Sequence, residues 1–441
     1  LPPALLPKGT ESLVFEGKSI TPLLPVNPRL LDYLTPEDLV EKLKFEADGI
    51  NVTVTLELPL SGFPNESPKT YYCEREYTLK PERQLNHERP ILEIWPNFRF
   101  EGWKDYHAIY YGSKDGKNTY RVKLPHQIGI HAFEDRDNRA YCQLIQLSSF
   151  PTFIQCESVG DKPQILGIIL LKPPEILRPI IARKWKIGVD FGTSFTNIFY
   201  NNNQGTVEKL PSTPLNLRIT ASEDSERRRV LRRLFSLDNA EDLKPFYSSL
   251  LTIENSFLVN SSTKNQQIQQ VPFRDGRLYV PDRGDEKGFD NELIKSNLKW
   301  EAATGNHYAT ELFLRHLALY ISAQAAQNQV SELEWHFSYP SAFSADDVSV
   351  YGDGWMIIVA ELPGKTGIKH YYVHPNESDE QNRSNHWRPE SVVIAQYFAD
   401  KENDLIYSTC IDIGGGTSDI SIWQDNAMLH QCSIQFAGYD L

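Results

Sequence analysis

From Asn51 to about residue 172, apolar residues recur at every second position in short runs punctuated by Gly, Pro, Asn and Asp. Asn51–Leu58, Tyr71–Leu79, Ile91–Trp95, Ala108–Tyr111, Tyr120–Leu124 and Tyr141–Leu147 therefore read as strands, each with one face for a core and one for water. Ile165–Leu171 is apolar throughout and reads as one buried strand. This spacing predicts a mainly-β, sandwich-like domain. Ahead of it, residues 1 to about 45 contain prolines at 2, 3, 7, 22, 25 and 28, then an amphipathic helix over Thr35–Lys44. Thr35 is a natural N-cap, Pro36 suits the first helical position, and Glu37 and Asp38 face the positive end of the helix dipole.

After the Pro-rich connector Lys172–Pro179 the texture becomes mixed. Lys184–Asp190 is a strand, Phe195–Tyr200 resumes it after a turn, and Thr206–Leu210 follows the turn Asn201–Gly205. Asn291–Trp300 reads as a short helix, and Tyr308–Ala326 as a long one with a stripe at Leu312, Phe313, His316 or Leu317, and Tyr320. His316 fits a core-edge position better than a ligand. Glu334–Tyr339 is a strand, Trp355–Leu362 a helix, His370–His374 a strand and Asn376–Trp387 a polar loop. Strand and helix alternate, which predicts an α/β fold from about residue 181. The basic run Arg227–Arg233 reads as a solvated helix face or a loop.

Two stretches stand out for chemistry. Ser408–Trp423 is a strand through Asp412, three glycines at 414, 415 and 416, the hydroxyls Thr417 and Ser418, Asp419, and a second strand. Glycines permit unusual backbone angles and let a large anion approach the amide N–H groups. Hydroxyls offer donors to phosphate, and carboxylates suit a hydrated Mg²⁺. Lys184–Tyr200 repeats this grammar more weakly, with Asp190, Gly192, Thr193 and Ser194. Two Asp-x-Gly hairpins suggest a duplicated fold whose halves face one nucleotide.

Asp190-Phe-Gly-Thr-Ser194 resembles the first phosphate motif of the actin, Hsp70 and sugar-kinase superfamily, and Asp412-Ile-Gly-Gly-Gly-Thr-Ser-Asp419 resembles its second. Arg388–Phe398 is similar to the connecting helix of Hsp70 and MreB proteins, with Glu390 lying 22 residues before Asp412. The resemblance implies an α/β ATPase of actin/Hsp70 (ribonuclease H-like) type that binds ATP and Mg²⁺ between two lobes. Asp190 and Asp412 would hold the metal through water with Asp419, and Glu390, Asp190 and Asp412 would be the catalytic carboxylates, Glu390 acting on the attacking water. Gly192, Thr193, Ser194, Gly414, Gly415, Gly416, Thr417 and Ser418 would grip the phosphates. A lysine from the first lobe, Lys295 or Lys299, would reach the γ-phosphate. In this superfamily a further lobe and an adenosine motif follow the second phosphate motif, and the sequence stops at Leu441, just after Gly438–Leu441, which resembles the element preceding that lobe. The expected organisation is a β-rich domain over 1–180 with its linker near 172–180, a first lobe over 181–400, and the start of a second lobe over 401–441, incomplete at the C-terminus.

A net charge of −13 argues against a broad nucleic-acid surface, although ATP needs only local donors. Five scattered cysteines (73, 142, 156, 410, 432) form no CxxC or Cys/His pattern, so a zinc site or disulfide framework is not expected. No run approaches a membrane span, and Leu1–Pro7 lacks the basic region of a signal peptide, so a cytoplasmic location is expected. Trp95, Phe98, Phe100, Trp103, Tyr106, Tyr110 and Tyr111 either pack the β domain or form a docking surface for a protein partner. The favoured function is a regulatory or chaperone-like ATPase whose lobe closure acts on such a partner. A small-molecule kinase of sugars or acids, and a polymerising or non-enzymatic actin-like scaffold, are the alternatives.

Overall fold

A computed structural model of the chain describes residues 5–10, 13–25, 28–60, 67, 69–81, 91–113, 120–134, 140–158, 162–202, 205–211, 213–219, 246–252, 271–279, 294–301, 308–393, 396, 407–425, 427–434, 436 and 438. The basic run at 227–233 and the last three residues of Gly438–Leu441 lie outside these. The chain divides into two compact units, one comprising Leu1–Arg99, Lys104–Ile176 and Asn216–Val230, the other Phe100–Trp103, Leu177–Leu215 and Leu231–Leu441.

The first unit is built from antiparallel ladders. Gln127–Glu134, Ala140–Leu147, Tyr106–Ser113, Ile91–Trp95 and Leu217–Arg218 form a five-stranded sheet in that order, so a segment well past residue 180 returns to pair with Glu93 and Ile94. Ile165–Leu170, Phe153–Ser158 and Tyr120–Lys123 form a second sheet, and Leu43–Asp48, Asn51–Leu60 and Lys69–Thr78 a third. The helix Pro36–Lys42 begins with a capping box, Asp38 N–H donating to Thr35 Oγ1 at 3.1 Å and Thr35 N–H to Asp38 Oδ2 at 3.0 Å. Leu39 from this helix joins Leu13, Leu24, Leu43, Phe45, Val52, Ile168 and Leu170 in one apolar cluster. Of the aromatic-rich stretch, Trp95, Phe98, Tyr106 and Tyr110 are buried, as are Phe100 and Trp103, which group with the second unit. They pack rather than offer a docking surface.

The second unit is α/β. Its main sheet runs Val207–Lys209, Phe195–Asn201, Ile180–Phe191, Val330–Tyr339, Lys369–Tyr371, with Trp387–Pro389 pairing the far end of Val330–Tyr339. The first three strands are antiparallel neighbours, and the joins from Ile180–Phe191 to Val330–Tyr339 and beyond are parallel. Parallel neighbours require crossovers. The helix Tyr308–Gln327 supplies one and Ala345–Thr366 the next. Tyr308–Gln327 buries residues on all its sides, not only along the expected stripe, as befits a helix enclosed by its unit. His316 is in the core, its Nδ1 accepting the Leu278 N–H at 3.3 Å.

Three local expectations need correction. Within the described part of Asn291–Trp300, which begins at 294, Ile294–Lys295 is strand and Leu298–Glu301 helix, because Asn297 takes a left-handed φ of 60° that interrupts a continuous helix. The helix expected at Trp355 starts at Ala345, where Ser344 and Asp347 form a capping box. Gly352 and Gly354 mask it in the sequence, and Gly352 is needed because a Cβ there would collide with the Pro375 ring. Asn376–Trp387 contains the helix Glu380–His386, capped by Asp379, whose Oδ1 accepts the N–H groups of Gln381 and Asn382, each at 3.1 Å.

Alternation along the central strands decides which side chains face the core. Ile187, Val189 and Phe191 are buried on one face, leaving Asp190 to project from the other at the strand end. Leu333, Trp335 and Phe337 do the same for Val330–Tyr339, and Trp335 packs at 5.7 Å from Trp355 of the second crossover helix. A separate three-stranded sheet, Tyr407–Ile413, Ser418–Gln424 and Ala427–Ile434, carries the glycine-rich turn.

Candidate functional site

The first hairpin closes between Phe191 and Phe195, where Gly192 N–H donates to the Phe195 carbonyl at 3.0 Å. A side chain at Gly192 would press on that same carbonyl, 2.5 Å away. Thr193 is buried at the turn, its Oγ1 accepting the indole N–H of Trp300 at 3.2 Å. Asp190 accepts two hydrogen bonds, from Ser338 Oγ at 2.8 Å and Asn197 Nδ2 at 3.3 Å, so its carboxylate is held in place at the end of this central strand.

The second hairpin closes with Gly414 N–H donating to Thr417 O at 2.9 Å. In its ladder Asp412 stands directly opposite Asp419, a like-charge pair that an antiparallel sheet ordinarily avoids. None of Gly414, Gly415 and Gly416 adopts a left-handed φ. Their glycine identity answers a need for space: a Cβ on Gly415 would overlap the Ser194 hydroxyl, and one on Gly416 would lie 2.8 Å from Thr193 Oγ1 and 2.9 Å from Trp300 Nε1. The two turns, far apart in sequence, meet face to face.

Further bonds join the hairpins through the end of Val330–Tyr339 and the segment after it. Ser341 N–H donates to Asp419 Oδ1 at 3.3 Å, and Ser341 Oγ lies 2.7 Å from Ser391 Oγ, next to Glu390. Lys299 Nζ donates to Glu390 Oε1 at 2.6 Å, with both side chains largely buried. Of the two lysines expected here, Lys299 is at the site. Lys295 sits on the strand Ile294–Lys295, paired with Leu250–Thr252.

Four carboxyls, those of Asp190, Glu390, Asp412 and Asp419, share this region. Burial pushes Glu390 up to about 7, with Lys299 pulling the other way and Asp190 and Asp419 adding to the rise. Asp412 is likewise raised, by burial first and then by Asp419 and Asp190, against the pull of Lys299. Asp190 and Asp419 thus resist the ionisation of Glu390 and Asp412, an arrangement that a bound cation relieves. The donor set, carboxylate oxygens and hydroxyls, suits a hard cation such as Mg²⁺.

The hydroxyls behave less uniformly. Thr417 Oγ1 donates to Asp419 Oδ2 at 3.2 Å, and Ser418 Oγ donates to the Phe436 carbonyl at 2.7 Å, so both hydroxyl hydrogens are engaged within the chain. Ser338, Ser341, Ser391, Asn197 and Trp300 belong to the site and were not singled out from the sequence. Ser338 and Ser341 end the expected strand in Ser-Tyr-Pro-Ser and carried a positional signal, whereas Trp300 carried none.

No protein-family model matches the chain, and no curated protein matches it. Among solved structures it is similar to the ethanolamine utilization protein EutJ from Carboxydothermus hydrogenoformans, at 10% identity over 58% of this chain and 53% of that one, with a TM-score of 0.23. It is also similar to MreB5 of Spiroplasma citri bound to ADP, at 14% identity over 59% and 54%, TM-score 0.26. A third is the Aquifex aeolicus Ppx/GppA phosphatase, at 8% identity over 58% and 53%, TM-score 0.22. The chain spans about half the length of each.

Proposed function

We propose that the second unit binds the phosphates of ATP with Mg²⁺ between its two Asp-Gly hairpins and hydrolyses the terminal phosphate. The observation that carries this is the turn-to-turn packing of Gly415 and Gly416 on Ser194 and Thr193, which puts two phosphate-type motifs at one place. The motifs themselves resemble the actin, Hsp70 and sugar-kinase superfamily, and the crowding of carboxylates beside them favours a cation.

In this reading Asp190, Asp412 and Asp419 hold Mg²⁺ largely through water, and the metal supplies charge neutralisation of the phosphates. Gly192, Thr193 and Ser194 on one side and Gly414, Gly415, Gly416, Thr417 and Ser418 on the other line the phosphate chain, Gly192 and Gly414 closing the two turns with their N–H groups and the residues between offering backbone donors. Lys299 adds a positive charge to the phosphates. Glu390, with a proton affinity raised to the neutral range, accepts a proton from the attacking water, a role for which a pKa near the working pH is best suited. Closure of lobes on nucleotide would then act on a partner of the first unit, through residues other than its buried aromatic stretch.

Isothermal titration of the chain with Mg·ATP tests the reading. Binding that disappears in Asp412→Ala supports it, and an affinity unchanged by that substitution ends it. Phosphate appearing on a sugar or acid in place of water would favour a kinase, and ATP-dependent light scattering a filament.

A further inference from the structure

Away from the hairpins, Glu334 and His336 project from the strand Val330–Tyr339 on the face opposite Leu333, Trp335 and Phe337. His386 ends the helix Glu380–His386, just before Trp387–Pro389 pairs alongside Phe337–Tyr339. Strand pairing therefore gathers three side chains from two separate segments. His336 Nε2 lies 3.0 Å and His386 Nε2 3.4 Å from the same oxygen, Glu334 Oε1, and the ligand atoms of all three fall within 4.8 Å of one another.

The other ring nitrogens settle what these atoms offer. His336 Nδ1 lies 2.9 Å from the Asn385 carbonyl and His386 Nδ1 2.8 Å from the Asn382 carbonyl. A carbonyl only accepts, so each Nδ1 carries a hydrogen, and Nε2 is the ring atom left to ligate. This is the support that fixes metal-bound histidines elsewhere. His386 is 5% exposed, and its Nε2 has no hydrogen-bond partner. Both Nε2 atoms thus lie close to one carboxylate oxygen, which also faces the Lys186 ammonium at 3.2 Å. In a tetrahedral zinc site with bonds of about 2.0–2.1 Å, neighbouring ligand atoms are roughly 3.4 Å apart, which the two measured N–O separations approach.

We propose that Glu334, His336 and His386 form a mononuclear site for a divalent metal of the zinc class, with water completing the shell. The imidazoles stack at 4.6 Å with planes 9° apart, and parallel rings cannot both aim a lone pair at one ion. Loading therefore requires the more exposed His336 ring to turn about its χ2 and give up its bond to the Asn385 carbonyl, leaving His386 as the ring held by its backbone partner, while Lys186, half in solvent, swings from the carboxylate. The ion would fasten the segment leading to Glu390 onto the central strand. The spacing Glu-x-His with a histidine 50 residues on matches no Cys/His motif, which is why the sequence led to no zinc expectation. The site is independent of the nucleotide reading.

The test uses the full chain without a histidine tag, stripped with chelator and titrated with Zn²⁺ and with Co²⁺. One equivalent bound, a visible tetrahedral cobalt spectrum and a rise in melting temperature with zinc are expected. His386→Ala and Glu334→Gln should each weaken binding by about tenfold or more. If His386→Ala fails to fold, Glu334→Gln and His336→Asn carry the same comparison. Absence of stoichiometric binding, or a cobalt spectrum that survives in the His336→Ala/His386→Ala double variant, would overturn the site.

Discussion

The ammonium of Lys299 lies 2.6 Å from the Glu390 carboxylate, with both groups largely buried and two further acids, Asp190 and Asp419, in electrostatic reach of Glu390 and of Asp412 alike. A buried pair of this kind is sensitive to the loss of one member, because the other is left charged without a partner.

Lys299→Met should therefore lower stability by about 3–5 kcal/mol at pH 8, where Glu390 is ionised. At pH 5 the loss should be distinctly smaller, since a protonated Glu390 no longer needs the cation. Urea unfolding at the two pH values measures the difference, and equal losses at both would show that the pair contributes little.

Glu390 also sets a pH trend of its own. Its proton is held more tightly in the folded chain, at about 7, than at the ordinary 4.5, so its contribution to stability is full below about 4.5 and is lost as pH rises to 7. Asp412 is shifted in the same direction. Glu390→Gln removes one of these titrations, and its stability should change less steeply between pH 5 and 7 than that of the parent. A steeper slope in the variant would contradict the assignment.

For turnover, Glu390→Gln should leave Mg·ATP affinity nearly unchanged and slow phosphate release by roughly 10²- to 10⁴-fold. The parent rate should climb with pH and level off above about 7 as the carboxyl ionises. Normal turnover in the variant would remove Glu390 from the mechanism.

The turn-to-turn contact can be tested by adding single methyl groups. Gly416→Ala meets Thr193 and Trp300 together and should cost about 1–3 kcal/mol as well as weakening nucleotide binding. Gly415→Ala meets chiefly the Ser194 hydroxyl, so Ser194→Ala should restore much of what it loses. Additive losses in that double variant would mean that the two turns do not touch in solution.

Trp355 is fully buried against Trp335, Phe337 and Tyr351, so Trp355→Ala should cost about 3–5 kcal/mol in thermal or urea unfolding while leaving no direct mark on the hairpins.

Much of the local structure was legible because it follows from neighbours in sequence. Period-two alternation marked Asn51–Leu58, Ile91–Trp95 and Tyr141–Leu147, within the observed strands Asn51–Leu60, Ile91–Trp95 and Ala140–Leu147, and Thr35 with Pro36 and Asp38 marked the start of its helix. Asp190, Gly192, Asp412 and the three glycines could be picked out because a tight turn after an acid-tipped strand is itself a local pattern. Helices Ala345–Thr366 and Glu380–His386 were obscured, the first by interior glycines and the second by a wholly polar composition, since both gain stability mainly from what they pack against.

The sequence alone thus determined strands, turns and the residue types able to meet phosphate, because these depend on backbone preferences and side-chain spacing within a dozen positions. Only the tertiary structure set Lys299 against Glu390 and Gly416 against Thr193, enlisted Ser338 and Ser341, and gathered Glu334, His336 and His386. Those choices depend on strand order and on which faces are buried together, and pairings across tens to hundreds of residues leave no periodic trace in the chain.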